Sequence, residues 1–313
     1  VIDNLSTGFM KTIETLQSIK KFEFIELDLK EFEKVEDVFK KHKISTVIHF
    51  AAFSQVGESM QDPMKYYMNN TVNTTHLVKC ASEYGVNKFV FSSTAATYGE
   101  PDFSKSGKTV IDEEFETKPI NPYGQSKLMS EKVIIDEASV NKGFKYCIFR
   151  YFNVSGADIH YEDDKLFPRV GECHDPETHL IPLVVKTALK KREAITIFGE
   201  DYDTQDGTCI RDYIHVDDLA DAHIKDIDYL EDNDSDIFNC GYGHGLSVKQ
   251  IVDGVKTTTG IDFKVLDGQR RVGDPSVLVS DNTKIIQKMN WTPKYDDLDM
   301  IIKSAYEWEK SLS

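Results

Sequence analysis

Two hydrophobic periods alternate along the first half of this chain. Short runs rich in β-branched and aromatic residues, at 22–28, 46–50, 88–92 and 145–150, read as strands, and the opening residues read as the end of another. Between them apolar positions recur every three to four residues, at 31–42, 63–84 and from Tyr123 onward, which predicts helices. Strand alternating with helix predicts an α/β fold built on a doubly wound parallel sheet. After Gly156 the elements shorten. Helices are expected at 181–191, 217–229, 248–259, 283–289 and 298–309, and strands at 194–198, 237–240 and 263–266. The change predicts a first domain over 1–155 and a smaller, mixed α/β substrate domain over 156–313. Segments around 209–243 are candidates to return to the main sheet.

Ligands of such sheets sit beyond the C-terminal ends of the strands. Asp3, Asp28, Ala51, Ala52, Ser92, Ser93, Thr94 and Asn153 all fall there. An acidic residue at the position of Asp3 commonly takes the adenine ribose hydroxyls and favours NAD over NADP. Ala51 and Ala52 are small enough for a ligand to approach the backbone.

The stretch Asn121-Pro122-Tyr123-Gly124-Gln125-Ser126-Lys127 opens a helix: Asn121 suits the cap and Pro122 the first turn. Tyr123 and Lys127, four apart, share a face. An ammonium beside a phenol favours the phenolate, so Tyr123 is expected to be tuned downward from about 10. A tyrosine so tuned can take a proton from a sugar hydroxyl and return it. The pair alone is weak, since exposed Tyr/Lys pairs are common on amphipathic helices.

Composition narrows the partners. Lys and Arg number 37 against 53 Asp and Glu, a net charge of −16, which argues against binding nucleic acid or an anionic membrane. No apolar run is long enough to span a bilayer. The five cysteines are scattered, without a C-x-x-C, as expected of reduced thiols in a cytoplasmic protein. Cys173, His174 and His179 share one loop but lack regular ligand spacing and a fourth partner, so no metal is expected. His49 and His215 sit beside apolar strand residues and read as structural.

The chain resembles the extended short-chain dehydrogenase/reductases, and within them the UDP-hexose 4-epimerase branch. The carrying stretches are Val1-Ile2-Asp3-Asn4-Leu5, 49–52, Val56-Gly57-Glu58-Ser59, Tyr66-Tyr67-Met68-Asn69-Asn70, 92–99 and 122–127. They continue with 150–157 (RYFNVSGA), 197–202, Asp206-Gly207-Thr208, 211–216 (RDYIHV) and Arg270-Arg271-Val272-Gly273-Asp274. They span nearly the whole chain in family order.

The resemblance implies a Rossmann-type sheet, NAD as tightly held cofactor, a UDP-sugar as substrate and a homodimer, through helices near 63–84 and 123–141. It implies Tyr123 as acid/base at the sugar O4, Lys127 on the nicotinamide ribose and Thr94 on the same sugar oxygen. Asp3 and Asn4 would hold the adenosine ribose, with Asp28 and Leu29 near the adenine. Phe50, Ala51, Ala52, Asn69 and Phe152 would line the dinucleotide. Asn153, His179, Arg211, Arg271 and Asp274 would hold the UDP part, arginine forks matching phosphate oxygens. The implied reaction interconverts UDP-glucose and UDP-galactose by transient oxidation at C4, with no net redox change.

The family pattern also carries a first strand, a glycine-rich loop and a first helix ahead of Val1, so this chain reads as the remainder of a longer gene product. Ser54 stands where many members carry a lysine and receives no role. Leu278 stands at a variable gate beside the sugar; being smaller than tyrosine, it leaves acceptance of N-acetylated sugars open. Two alternatives stay in view. One is a nucleotide-sugar 4,6-dehydratase or decarboxylase, which usually places a carboxylate where Thr94-Ala95-Ala96 stand here. The other is a UDP-sugar-binding fragment without turnover.

Overall fold

Four parallel strands carry the centre of the molecule, in the order Asp236–Cys240, Lys145–Tyr151, Lys88–Thr94, Thr46–His49. The computed structural model describes residues 1–271 and 274–312; Val272 and Gly273, quoted above in the motif with Arg271 and Asp274, lie outside the described residues. A parallel sheet buries both faces, so its strands are apolar on both sides. Alternation along the strands sorts the side chains accordingly. Phe89, Phe91 and Ile148 point into one cluster with Leu77, Val78, Ala81 and Ile134. Val90, Cys147 and Phe149 point into another with Leu219, Ala222, Leu230 and Phe238. The fold is α/β with a Rossmann-type parallel sheet.

The strand Asp236–Cys240 and the helix Val216–Asp232, both late in the chain, complete this sheet and cover one of its faces. The second cluster then runs without a break into the helices Leu180–Ala188, Val248–Thr259 and Leu298–Ser311 and around the fully buried Trp291. Three small sheets, Ile195–Phe198 with Val265–Gly268, Ile210–Arg211 with Leu246–Ser247 and Val277–Leu278, and Asn153–Ser155 with Tyr213–His215, frame the other wall of the cleft described below.

Ile2–Asp3 and Ile25–Glu26 pair parallel as a separate two-stranded sheet. Ile2, Ile25, Leu27 and Leu29 join the first apolar cluster, so this piece is held to the rest by packing. Ile48, on the strand Thr46–His49, is 39% exposed.

Among the differences from the sequence reading, two bear on the site. The helix expected over 63–84 is Pro63–Tyr66, then a π-helical stretch Tyr67–Val72, then Asn73–Glu83. Side chains there compete for backbone carbonyls: the Thr74 hydroxyl donates to Asn70 O at 2.5 Å. A helix at Met10–Ile19 was not anticipated; it buries only Ile13 and has no side-chain cap, so its sequence carries little signal.

Candidate active site

The strand ends open on a cleft of about 1460 Å³. One wall comes from the main sheet: Phe50 and Ala52 after Thr46–His49, Ser92, Ser93 and Thr94, then Phe152. Tyr123 and Lys127 rise from the helix Pro122–Val140, whose start is fixed by Asn121 Oδ1 accepting from the Gly124 N–H at 2.8 Å. The facing wall brings His179, Arg211, Arg271, Asp274 and Leu278.

Six expected residues stand away from this lining. Asp3, Asn4 and Asp28 form their own group at the ends of the two-stranded sheet, where Asn4 Nδ2 donates to Asp28 Oδ2 at 3.0 Å. Leu29 turns into the core. Ala51 is exposed, and Asn69 is half-buried, its amide donating to Asn70 Oδ1 at 3.0 Å. Thr12 of the unanticipated helix does line the cleft.

The Thr94 hydroxyl sits beside the Tyr123 phenol and favours its charged form. The expected downward tuning of Tyr123 is absent in this structure. Burial pushes the phenol up, the Thr94 hydroxyl offsets this only in part, and Lys127 is not among the groups acting on it. The physical reason is where the lysine goes. Its Nζ donates to the Ser92 carbonyl at 2.6 Å and lies 4.8 Å from the centre of the Phe91 ring. Burial pushes this ammonium down to about 7, Glu131 opposing. A shared helix face therefore did not amount to a charge contact.

Glu131, one turn beyond Lys127, is the residue that sequence reasoning missed. It is buried, receives Arg150 Nε at 3.1 Å and Nη2 at 2.7 Å, and accepts the Ser93 hydroxyl. Arg150 Nη1 also reaches Tyr98 Oη at 3.0 Å. This ties the Tyr123 helix to the strand ends through a pair whose rupture costs about 3–5 kcal/mol. Asn70 was missed as well: it exchanges two 2.9 Å bonds with the Phe53 backbone and donates to Ser126 Oγ at 3.0 Å. It clamps the loop after Ala52 to the same helix, and the run of asparagines at 69, 70 and 73 was its only signal.

On the facing wall Arg211 pairs with Asp274, which joins two residues that the sequence lists far apart. The Arg271 guanidinium lies 4.2 Å from the centre of the Phe198 ring, a lining residue that the sequence did not single out. Asn153 Nδ2 donates to the Asp212 carbonyl at 2.9 Å. His179 lies against Glu172 and Glu177, 2.7 and 2.9 Å from Nδ1. Burial opposes its charge, but those two carboxylates outweigh it and push the imidazole up to about 10. His49 and His215 bond inward, to Thr74 and Ser304.

The residues present fit NAD at two ends. Phe50, 57% exposed, and Ala52 offer an open apolar wall beside Lys127. The exposed Asp3 carboxylate has acceptor capacity for two ribose hydroxyls. No Gly-x-Gly-x-x-Gly turn occurs in the 313 residues, and none of them is assigned to the pyrophosphate.

Parallel strand ends facing the helix-borne Tyr123 and Lys127 are the arrangement expected of the extended short-chain dehydrogenase/reductase class that the sequence resembles. A profile of the NAD dependent epimerase/dehydratase family matches residues 1–241. The UDP-glucose 4-epimerase of Lacticaseibacillus casei is 42% identical over 312 residues, 99% of this chain and 89% of that protein. The solved UDP-Glc/GlcNAc 4-epimerase from Campylobacter jejuni is 51% identical with a TM-score of 0.84, covering 99% of this chain and 91% of its own. The UDP-glucose 4-epimerase from Brucella ovis, in complex with NAD, is 40% identical with a TM-score of 0.87, over 98% and 89%. The chain belongs to the NAD dependent epimerase/dehydratase family.

Proposed function

We propose that this chain carries the 4-epimerisation of a UDP-hexose, interconverting UDP-glucose and UDP-galactose. The observation that carries the reading is one cleft with the Tyr123 phenol and Thr94 hydroxyl on one wall and Arg211 and Arg271 on the other. NAD, when bound, would supply the hydride acceptor for C4. The chain does the rest. Thr94 and Tyr123 hold O4, and Tyr123 takes its proton and later returns it. Lys127 and Asp3 would hold the two riboses of the dinucleotide. Asn153, His179, Arg211, Arg271 and Asp274 fix the UDP end. Inversion at C4 needs a sugar that can present either face while its UDP stays anchored. The apolar Leu278 and Phe152 beside the polar anchor suit that division.

Tyr123→Phe keeps the ring and removes the proton carrier. It is expected to lower turnover at least about 100-fold while UDP affinity stays within about twofold. Turnover near wild type would remove Tyr123 from its role. Denaturing the purified chain and weighing released NAD tests the fragment alternative, since that alternative requires none. The lyase alternative finds no carboxylate at Ala95 or Ala96.

A wider substrate range follows from Leu278, which lines the cleft and packs with Phe152. UDP-N-acetylglucosamine is expected to turn over, and Leu278→Tyr to suppress it more than UDP-glucose. Equal loss for both sugars would refute a gate at this position. We further place the chain in the cytoplasm, on its five unpaired cysteines, and in a homodimer through the helices around Met64 and Met129.

A further inference from the structure

At the rim of the cleft one loop gathers Glu172, His174, Glu177 and His179. One oxygen or nitrogen from each lies within 4.8 Å of all the others. His174 Nδ1 is 3.2 Å from Glu172 and 3.7 Å from Glu177; His179 Nδ1 is 2.7 and 2.9 Å from the same two carboxylates. Pairwise imidazole–carboxylate contacts account for only part of this convergence, since each Nδ1 lies against both carboxylates. A ring nitrogen carries at most one hydrogen, and His179 spends its own on Glu177. His174 Nδ1 is buried and has no hydrogen-bond partner of proper geometry. Ligand atoms about 2.1 Å from a tetrahedral ion lie about 3.4 Å apart, which is the scale of these separations.

We propose that Glu172, His174, Glu177 and His179 form a binding site for a divalent transition-metal ion, with zinc as the ion that best suits two imidazoles and two carboxylates. Carboxylates and waters alone would suit magnesium or calcium, whereas imidazole selects zinc-like ions. Four protein donors make a closed site, so its role is structural. The donors are already held from behind. The Glu177 carboxylate accepts the backbone N–H groups of Thr178 and His179 at 2.7 and 2.8 Å, and the Trp308 indole donates to Glu172 O at 2.8 Å. All four residues line the cleft, which gives an ion a way in. Metal on Nδ1 leaves the proton of His179 on Nε2, so the ion would also set which nitrogen that residue can offer to a ligand. The inference does not depend on the sugar chemistry proposed above, with which it shares His179. It departs from the sequence expectation because two of the donors are glutamates, which the Cys173, His174, His179 grouping left out.

The test uses the whole chain, stripped with a chelator and titrated with Zn²⁺ against a chromogenic competitor. One Zn²⁺ per chain is expected, and Co²⁺ in its place should give the intense visible absorption of a tetrahedral centre. His174→Ala and Glu177→Gln should each weaken Zn²⁺ at least about tenfold, the loss seen even when an outer partner of a ligand is removed. Their metal-free unfolding temperatures, compared with wild type, separate lost ligands from lost fold; should one variant fail to fold, the other decides. Cys173→Ser should bind as wild type. Substoichiometric binding by the wild-type chain, unchanged affinity in a folded His174→Ala or Glu177→Gln, or loss of binding in Cys173→Ser would each overturn the site.

Discussion

Tyr123 and Lys127 are separated by one helical turn, yet each is perturbed chiefly by the loss of water around it. Lys127 is the sharper case, because burial pushes its ammonium down to about 7 while Glu131 opposes. In an unfolded chain the same lysine titrates near 10.4. Between these values the unfolded chain holds a proton that the folded chain has given up, so stability rises with pH across that window. Below about 7 the lysine is protonated in both states and its full cost is present. Lys127→Met removes the titration. In the dinucleotide-free chain the stability difference between variant and wild type should shrink from pH 7 to pH 10, by at most about 1.4 kcal/mol per unit. Urea midpoints at three pH values check this, and parallel curves would contradict it. Tyr123 and Lys127 were legible in the sequence because the cap, the proline and the spacing are local signals. Glu131 was not. A glutamate amid Lys127 and Lys132 reads as a solvent-facing position, and only the fold shows Arg150 waiting on the neighbouring strand.

Elements were legible where one period and one environment coincide. The strand read at 88–92 is apolar on both faces at Phe89–Phe91 and runs two residues further, to Thr94, while the helices Val248–Thr259 and Thr283–Met289 show a clear apolar stripe and their bounds follow from pattern. The π-helical Tyr67–Val72 did not, since the same residues suit an ordinary helix and the wider turn arises from tertiary bonds through Asn70 and Thr71. With the preceding turn, that stretch presents Met64, Met68 and Val72 at successive four-residue steps, 61, 55 and 36% exposed, and the Tyr123 helix, which packs against it through Ser126, presents Met129 at 40%. Unbranched methionines repack readily against a partner surface. If the proposed homodimer uses this face, Met64→Glu with Met68→Glu buries two carboxylates at the interface. Sedimentation should then show a monomer where the wild-type chain shows a dimer. A dimer that survives both changes would move the interface elsewhere.

At the scale of the whole molecule the late helix Val216–Asp232 is bound to the early strands by more than apolar contact. Lys145 Nζ donates to the carbonyls of Leu230 and Asn233 at 3.0 and 2.8 Å, and Lys88 Nζ to Ile227 O at 3.1 Å while pairing with Glu231. Cations at a helix C-terminus complement its dipole, so this join resists opening. One group on it does the opposite. Asp226 is buried beside Cys147, with no hydrogen bond of normal geometry to either carboxylate oxygen. Burial pushes its carboxyl up to about 7, the Cys147 thiol and Lys88 offsetting only part. Here the folded chain holds a proton that the unfolded chain, with an aspartate near 3.9, has lost. Stability from this group is therefore greatest at low pH, falls as pH rises, and is gone above about 7. Asp226→Asn keeps the shape and removes the charge. It should stabilise the chain at pH 8 by about 1–3 kcal/mol, the desolvation cost of an unsatisfied buried group. At pH 5 Asp226 is neutral in the fold and only the unfolded chain is ionised there, so the gain should be clearly smaller than at pH 8. Thermal unfolding of both proteins at the two pH values distinguishes the cases. Equal effects at pH 5 and pH 8 would mean that Asp226 carries no unpaired charge in the fold.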